Sequence, residues 1–331
     1  MSVARKTPET DAPRRTTEAC DISVILPPDF RFDSGERPSK AEIRLRVFGD
    51  TSNPAIIVAG GISAGRNVAD AAGDAGWWRD LVCENGAIDL RDFCVIGFDF
   101  LPNAGEAART IASRDQARAL GVALDKINIR RAFAFVGASY GGMVALAFAE
   151  AFPDRLEKLC VVSAADRPHP SATALRGVQR RIIDFARRCG AAEEGVSLAR
   201  QIAMVTYRTP EEFGQRFRHE PGAAAGDPYD VCRYLISRGE AYQMAPERFV
   251  TLSDSIDRHS IDPRNIAAPA LFIAAESDRL VPAADTRRLA ASVRDGRFVS
   301  ISSLYGHDAF LKEAATIGPI IQTFIRETRH D

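Results

Sequence analysis

Cysteine is scarce in this chain of 331 residues and thinly spread. The six (Cys20, Cys83, Cys94, Cys160, Cys189 and Cys232) form no CxxC pair and no Cys/His ligand spacing, which argues against a structural zinc site. Cys94 and Cys160 fall inside apolar runs and are expected to be buried small hydrophobes. Charge of one sign is also lacking. Lys and Arg number 43 against 44 Asp and Glu, a net charge of −1, so there is no basic footprint for nucleic acid or an anionic membrane. No apolar run approaches the roughly 20 residues a membrane helix needs. Residues 1–21 are mostly polar and lack the apolar stretch of a signal peptide, which predicts a disordered tail on a cytoplasmic protein.

What is present is ordinary for a globular protein: 46% apolar and 26% charged residues. Short apolar runs at residues 55–60 (AIIVAG), 93–99 (FCVIGFD), 132–136 (AFAFV), 158–163 (KLCVVS), 270–275 (ALFIAA) and 298–303 (FVSISS) have the composition of parallel strands covered on both faces. Residues 114–127 and 142–152 carry the apolar spacing of amphipathic helices, and Pro153 stops the second. Strand candidates at 22–26 and 42–48 suit an antiparallel edge. The pattern predicts a doubly wound, mostly parallel α/β sheet. Between 166 and 263 the rhythm breaks into a helical, Arg-rich stretch interrupted by PGAAAGDP at 221–228. This divides the chain into a core of residues 22–165 and 264–331 and an inserted helical lid over 166–263.

The segment AFAFVGASYGGM, residues 132–143, reads as strand, G-x-S-x-G turn and helix. In the α/β-hydrolase fold this turn holds a nucleophile at a strained strand-to-helix corner. Flanking glycines leave room for packed neighbours, and the following helix start offers N–H groups to a developing oxyanion. Ser139 is therefore the candidate nucleophile. The acid and the histidine follow the serine in that chain order. Asp278 lies on the turn after the 270–275 strand, with Glu276 as its competitor. His307 lies in a Gly-containing loop after the 298–303 strand. Asp308, beside the histidine, is the weaker acid candidate because the strand order already supplies Asp278. A second oxyanion donor is expected from GGISAG at 60–65, with the Ile62 amide chosen to act beside that of Tyr140. This loop lacks the Lys-Ser/Thr of a P-loop and the spacing of a dinucleotide fingerprint.

Over residues 22–326 the chain resembles the homoserine O-acyltransferases of the α/β-hydrolase fold. The likeness rests on GGISAGRNV, GWW, GASYGGM, SAADRPHP, VQRR, MVTYRTPEEF, SDSID, ESDRLVP and, most specifically, YGHDAFLKE. It implies the triad Ser139, Asp278 and His307. It also implies that Arg200 and Tyr207 hold the amino-acid substrate and that Asp308 faces its amino group. An arginine fork suits an α-carboxylate, and an aspartate suits an α-ammonium. The forms GGISA, ASYGG and RPHP, where acetyl-transferring members carry other residues, resemble the succinyl-transferring branch. The resemblance thus implies L-homoserine and succinyl-CoA as substrates, no resident cofactor and a homodimer touching through the lid. Arg167, His169, Arg176, Arg180 and Arg181 are the lid cations available to a succinyl carboxylate.

Overall fold

The computed structural model describes residues 18–38, 42–103, 105–107, 109–224 and 226–327. The chain runs β1 (Ala19–Ile25), β2 (Glu42–Phe48), β3 (Ala55–Ala59), β4 (Val82–Cys83), β5 (Ile88–Asp89), β6 (Cys94–Phe98), α1 (Ser113–Lys126), β7 (Ala132–Ala138), α2 (Tyr140–Ala151) and β8 (Leu156–Val162). Five helices follow: α3 (Pro170–Arg188), α4 (Ala192–Tyr207), α5 (Pro210–Arg216), α6 (Asp230–Glu240) and α7 (Pro246–Asp257). The chain closes with β9 (Ala270–Ala275), α8 (Ala283–Ser292), β10 (Gly296–Ile301), α9 (Ala309–Lys312) and α10 (Ala314–Arg326).

Eight strands form one sheet in the order β1-β2-β6-β3-β7-β8-β9-β10. The pairs β1/β2 and β2/β6 are antiparallel and the rest parallel. In β3, β6 and β9 every residue is buried, because helices cover both faces; β10, at the edge, is half-buried. One large apolar cluster fills the face under α1 and α2, and a second fills the opposite face under α10. The apolar runs therefore became strands because only a two-sided core accepts them. The mostly parallel α/β architecture and the antiparallel edge match the sequence expectation.

The expected tail needs a correction. Residues 1–17 lie outside the described residues, but Ala19–Asp21 already belong to β1, paired with Phe48, Val47 and Arg46. Asp21 is held there by hydrogen bonds from Arg46 (2.6 Å) and Arg66 (3.0 Å). These contacts come from residues 25 and 45 positions away, so a local reading of a polar segment does not reveal them. The stretch read as a lid holds α3 to α7, all between β8 and β9. No helix among the described residues is long and apolar enough to cross a membrane.

Candidate active site

The sheet places three loops together at the C-terminal ends of neighbouring strands, where open α/β sheets bind ligands. Ser139 follows β7, Asp278 follows β9 and His307 follows β10. Ser139 has φ 54° and ψ −122°, the strained geometry of a nucleophile elbow. Its neighbours explain the glycines. A Cβ on Gly141 would sit 2.3 Å from the Ala59 carbonyl oxygen, and one on Gly137 would sit 2.4 Å from that of Gly141. The strain is held by the Ser139 amide donating to Val162 O (2.9 Å) and the Gly141 amide to Gly60 O (2.7 Å). Between them the Tyr140 amide opens α2 as one of the helix-start donors that lack an intrahelical partner.

Ser139 Oγ lies 2.7 Å from His307 Nε2, and His307 Nδ1 lies 2.7 Å from Asp278 Oδ2. The backbone fixes the acid as well. Asp278 Oδ1 accepts from the amides of Leu280 (2.9 Å) and Val281 (3.0 Å), leaving Oδ2 for the imidazole. Asp278 is buried, whereas Glu276 is exposed and bonds Ser300 instead. Ser277 ties the acid loop to the histidine loop, donating to Ser303 O (2.6 Å) and accepting from the Gly306 amide (3.2 Å). Burial pushes the His307 pKa down, but the charge and hydrogen bond of Asp278, aided by Asp308, outweigh it and leave the imidazole above its ordinary value. With its Nδ1–H donated to Asp278, Nε2 is poised to take the Ser139 proton.

A cavity of about 410 Å³ opens over Ser139 and His307. Ile62, Tyr140, Arg200, Tyr207 and Asp308 line it too, while Asp278 stands behind His307 and reaches the space only through it. Arg200 lies over the rings of Tyr242 (4.7 Å to the centroid) and Tyr207 (5.5 Å), and among the described residues no carboxylate is within ion-pair distance of it. Asp308 brings a feature the sequence did not show: its carboxylate meets the buried Arg208 at 3.3 Å. Arg208 in turn faces Glu212 (3.5 Å), and Glu212 accepts from Lys312 (2.8 Å), giving a chain of alternating charge that ends in the cavity. Of the five lid cations named from the sequence, Arg176 reaches the cavity wall, and it is already paired with Asp257 at 2.6 Å. Arg180 shares that carboxylate (2.7 Å) and Arg167 pairs with Asp166 (2.8 Å).

Sequence reasoning also missed Ser163. It follows β8 at φ 52°, is 1% exposed and lines the cavity, and among the described residues its hydroxyl has no hydrogen-bond partner. The signal was available, since SAADRPHP begins with it, but nothing local marks a serine after a strand as strained. Arg208, Glu212 and Lys312 likewise stand inside recognised segments and acquire meaning only through contacts about 100 positions apart in the chain.

A family model described as alpha/beta hydrolase fold matches residues 54–314. Among curated relatives, the homoserine O-succinyltransferase of Xanthomonas campestris pv. campestris is 41% identical, over 97% of this chain and 88% of its own length. The homoserine O-acetyltransferase of Thermus thermophilus is 31% identical, over 77% and 73% respectively. The crystal structure of homoserine O-acetyltransferase from Staphylococcus aureus superposes with a TM-score of 0.82 at 21% identity, covering 95% of this chain and 97% of its own. Esterase E22 does so at 0.83 and 18%, covering 93% and 100%. The two structural likenesses speak for the fold. The family is carried by the sequence relatives: the chain belongs to the α/β-hydrolase fold family and, within it, to the homoserine O-acyltransferases.

Proposed function

We propose that this protein is a homoserine O-succinyltransferase working by a ping-pong acyl-serine route. His307 takes the proton of Ser139, which attacks the thioester carbonyl of succinyl-CoA, and CoA leaves as the thiol. The homoserine hydroxyl, deprotonated in turn by His307, then attacks the succinyl ester and frees Ser139. The amides of Ile62 and Tyr140 serve both tetrahedral intermediates, each donor being worth about 3–4 kcal/mol of barrier. The observation that carries the reading is the shared cavity. One space presents Ser139 and His307, the latter backed by Asp278, beside an arginine that has no carboxylate partner among the described residues and a carboxylate at Asp308. Arg200 and Tyr207 hold the α-carboxylate end of the acceptor, and Asp308 its ammonium. The relative from Xanthomonas supports succinyl as the acyl group.

Helices α3 to α7 serve as a lid over this cavity. Leu175, Val178 and Phe185 on α3 and Leu198 and Val205 on α4 expose 39–64% of their surface, which supports a homodimer formed through these helices. A CoA-thioester donor supports a cytoplasmic location for the reaction. CoA-release kinetics with homoserine, serine and no acceptor, each run with succinyl-CoA and acetyl-CoA, test the assignment. Release is expected to be fastest with the succinyl donor and homoserine; acceptor-independent release at that same rate makes the protein a thioesterase. Intact mass after mixing with succinyl-CoA should show one adduct on the wild type and none on Ser139→Ala, and an adduct on the variant removes Ser139 as nucleophile.

A further inference from the structure

The candidate oxyanion hole has two walls, and the helical insertion grips both. The first wall is the loop of residues 60–65. Its base is fixed from the core: Gly60 O accepts from the Gly141 amide, Ala64 N donates to Gly61 O (2.8 Å), and Trp77 Nε1 donates to Gly65 O (3.0 Å). Its apex is held differently. Ser63 Oγ lies 2.8 Å from the hydroxyl of Tyr242, in the connection between α6 and α7. Tyr242 also reaches Met244 Sδ at 3.4 Å; with its proton directed there, the Ser63 hydroxyl donates and the tyrosine oxygen accepts. The second wall is Tyr140, whose fully buried side chain meets Ser255 Oγ of α7 at 2.6 Å and packs edge-on to Phe100 at 4.8 Å.

Tyr242 does a second thing. Its ring lies under the Arg200 guanidinium at 4.7 Å, the nearer of the two rings that Arg200 covers. A hydroxyl on one wall of the oxyanion hole and a ring beneath the proposed carboxylate anchor thus belong to one side chain. We infer that Tyr242 is a positioning residue: through Ser63 it sets the Ile62 amide, and through its ring it sets Arg200, so that acceptor site and oxyanion donor share one support. The inference rests on the reading of Ser139 as nucleophile and of Ile62 as donor. A misplacement on the order of 1 Å at a reacting centre can cost about 10²-fold in rate, which makes a single tether to a loop apex consequential.

The test measures acylation of Ser139 by an activated aryl ester, p-nitrophenyl acetate, in stopped flow, because that step needs the oxyanion hole and neither homoserine nor succinyl-CoA. Tyr242→Phe keeps the ring under Arg200 and loses the hydroxyl; Ser63→Ala removes the same bond from the other side. Each is expected to slow acylation by about 10-fold, and the double variant by no more than either alone, because both delete one interaction. Tyr242→Phe should leave KM for the amino-acid acceptor within about twofold, whereas Tyr242→Leu, lacking the ring, should raise it by about 5-fold or more. Circular dichroism and urea midpoints establish that each variant folds. Acylation within twofold of wild type in both single variants, or losses that multiply in the double, overturns the inference while the nucleophile reading stands. A wild type that is not acylated at Ser139 overturns both.

Discussion

Ser139 owes its left-handed backbone to two glycines that let β7, α2 and β3 pass within contact distance, and the reactivity proposed for it rests on a histidine oriented by Asp278. That orientation is testable one residue at a time. Asp278→Asn should lower kcat by roughly 10³- to 10⁴-fold through loss of the correct tautomer, with Glu276→Gln close to wild type; the reverse ranking would make Glu276 the acid. The same substitution moves the pH profile. In the proposed mechanism His307 must be neutral to act as the base, so the rate should rise as pH climbs through its raised pKa. Removing Asp278 leaves burial as the dominant influence, and the acid limb should shift to lower pH. Arg200→Ala separates recognition from chemistry. Acylation by succinyl-CoA should stay close to wild type while transfer to homoserine falls by about 10²-fold. A charge-assisted pair is worth roughly 1.5–3 kcal/mol, and a misplaced hydroxyl adds to the loss. Equal slowing of both half-reactions in single-turnover experiments would move Arg200 out of the acceptor site.

At the scale of elements, the boundaries follow local chemistry where local chemistry is decisive. Pro153 ends α2 after Ala151, and the apolar run of β9 spans 270–275 as its composition predicts. Elsewhere one side chain secures an element from across the sheet. Lys158 in β8 donates from Nζ to the carbonyls of Phe324 (3.0 Å), Ile325 (2.7 Å) and Glu327 (2.6 Å), capping the C-terminal end of α10, where a cation also meets the negative end of the helix dipole. Lys158→Met keeps the length of the stem and deletes the donor. Urea denaturation should show a loss of about 1–2 kcal/mol, and an unchanged midpoint would mean that these carbonyls are equally well satisfied by water.

The whole molecule carries a pH dependence in a histidine that does no chemistry. His259 is 1% exposed and joins α1 to the end of the insertion. Its Nδ1 accepts from Ser113 Oγ (2.7 Å) and its Nε2–H donates to Ala165 O (3.1 Å). Burial drives its pKa down from 6.5 to about 4, so between those values the unfolded chain binds a proton that the folded chain does not. Stability must therefore fall as pH drops from about 6.5 to about 4. At about 1.4 kcal/mol per unit this amounts to roughly 3 kcal/mol. Asp21 and Asp89, each lowered to about 2, lose their contribution only below that window. The raised His307 acts above it, where its contribution fades as pH climbs through its folded pKa. Unfolding free energies from pH 4 to pH 7 should show the slope in the wild type and a flatter one in His259→Gln. An equal slope in both would assign the effect to other groups.

Much of this was legible in the chain itself, because it is written at short range. Strand–turn–helix around Ser139 and the two-sided apolar runs depend on neighbours within about a dozen positions, where hydrophobic period and backbone preference are decisive, and the chain order of serine, acid and histidine follows from the fold that this local pattern announces. The tertiary structure decided what spans larger gaps. It buried Asp278 against His307 and left Glu276 exposed beside Ser300. It drew Ala19–Asp21 into the sheet through two arginines, and it gave Asp308 a cationic partner in Arg208. It also tied the apex of the 60–65 loop, at Ser63, to Tyr242, 179 residues away. Burial and charge pairing at such separations depend on which surfaces the packed sheet and the helical insertion bring together, and no local pattern of residue types carries that information.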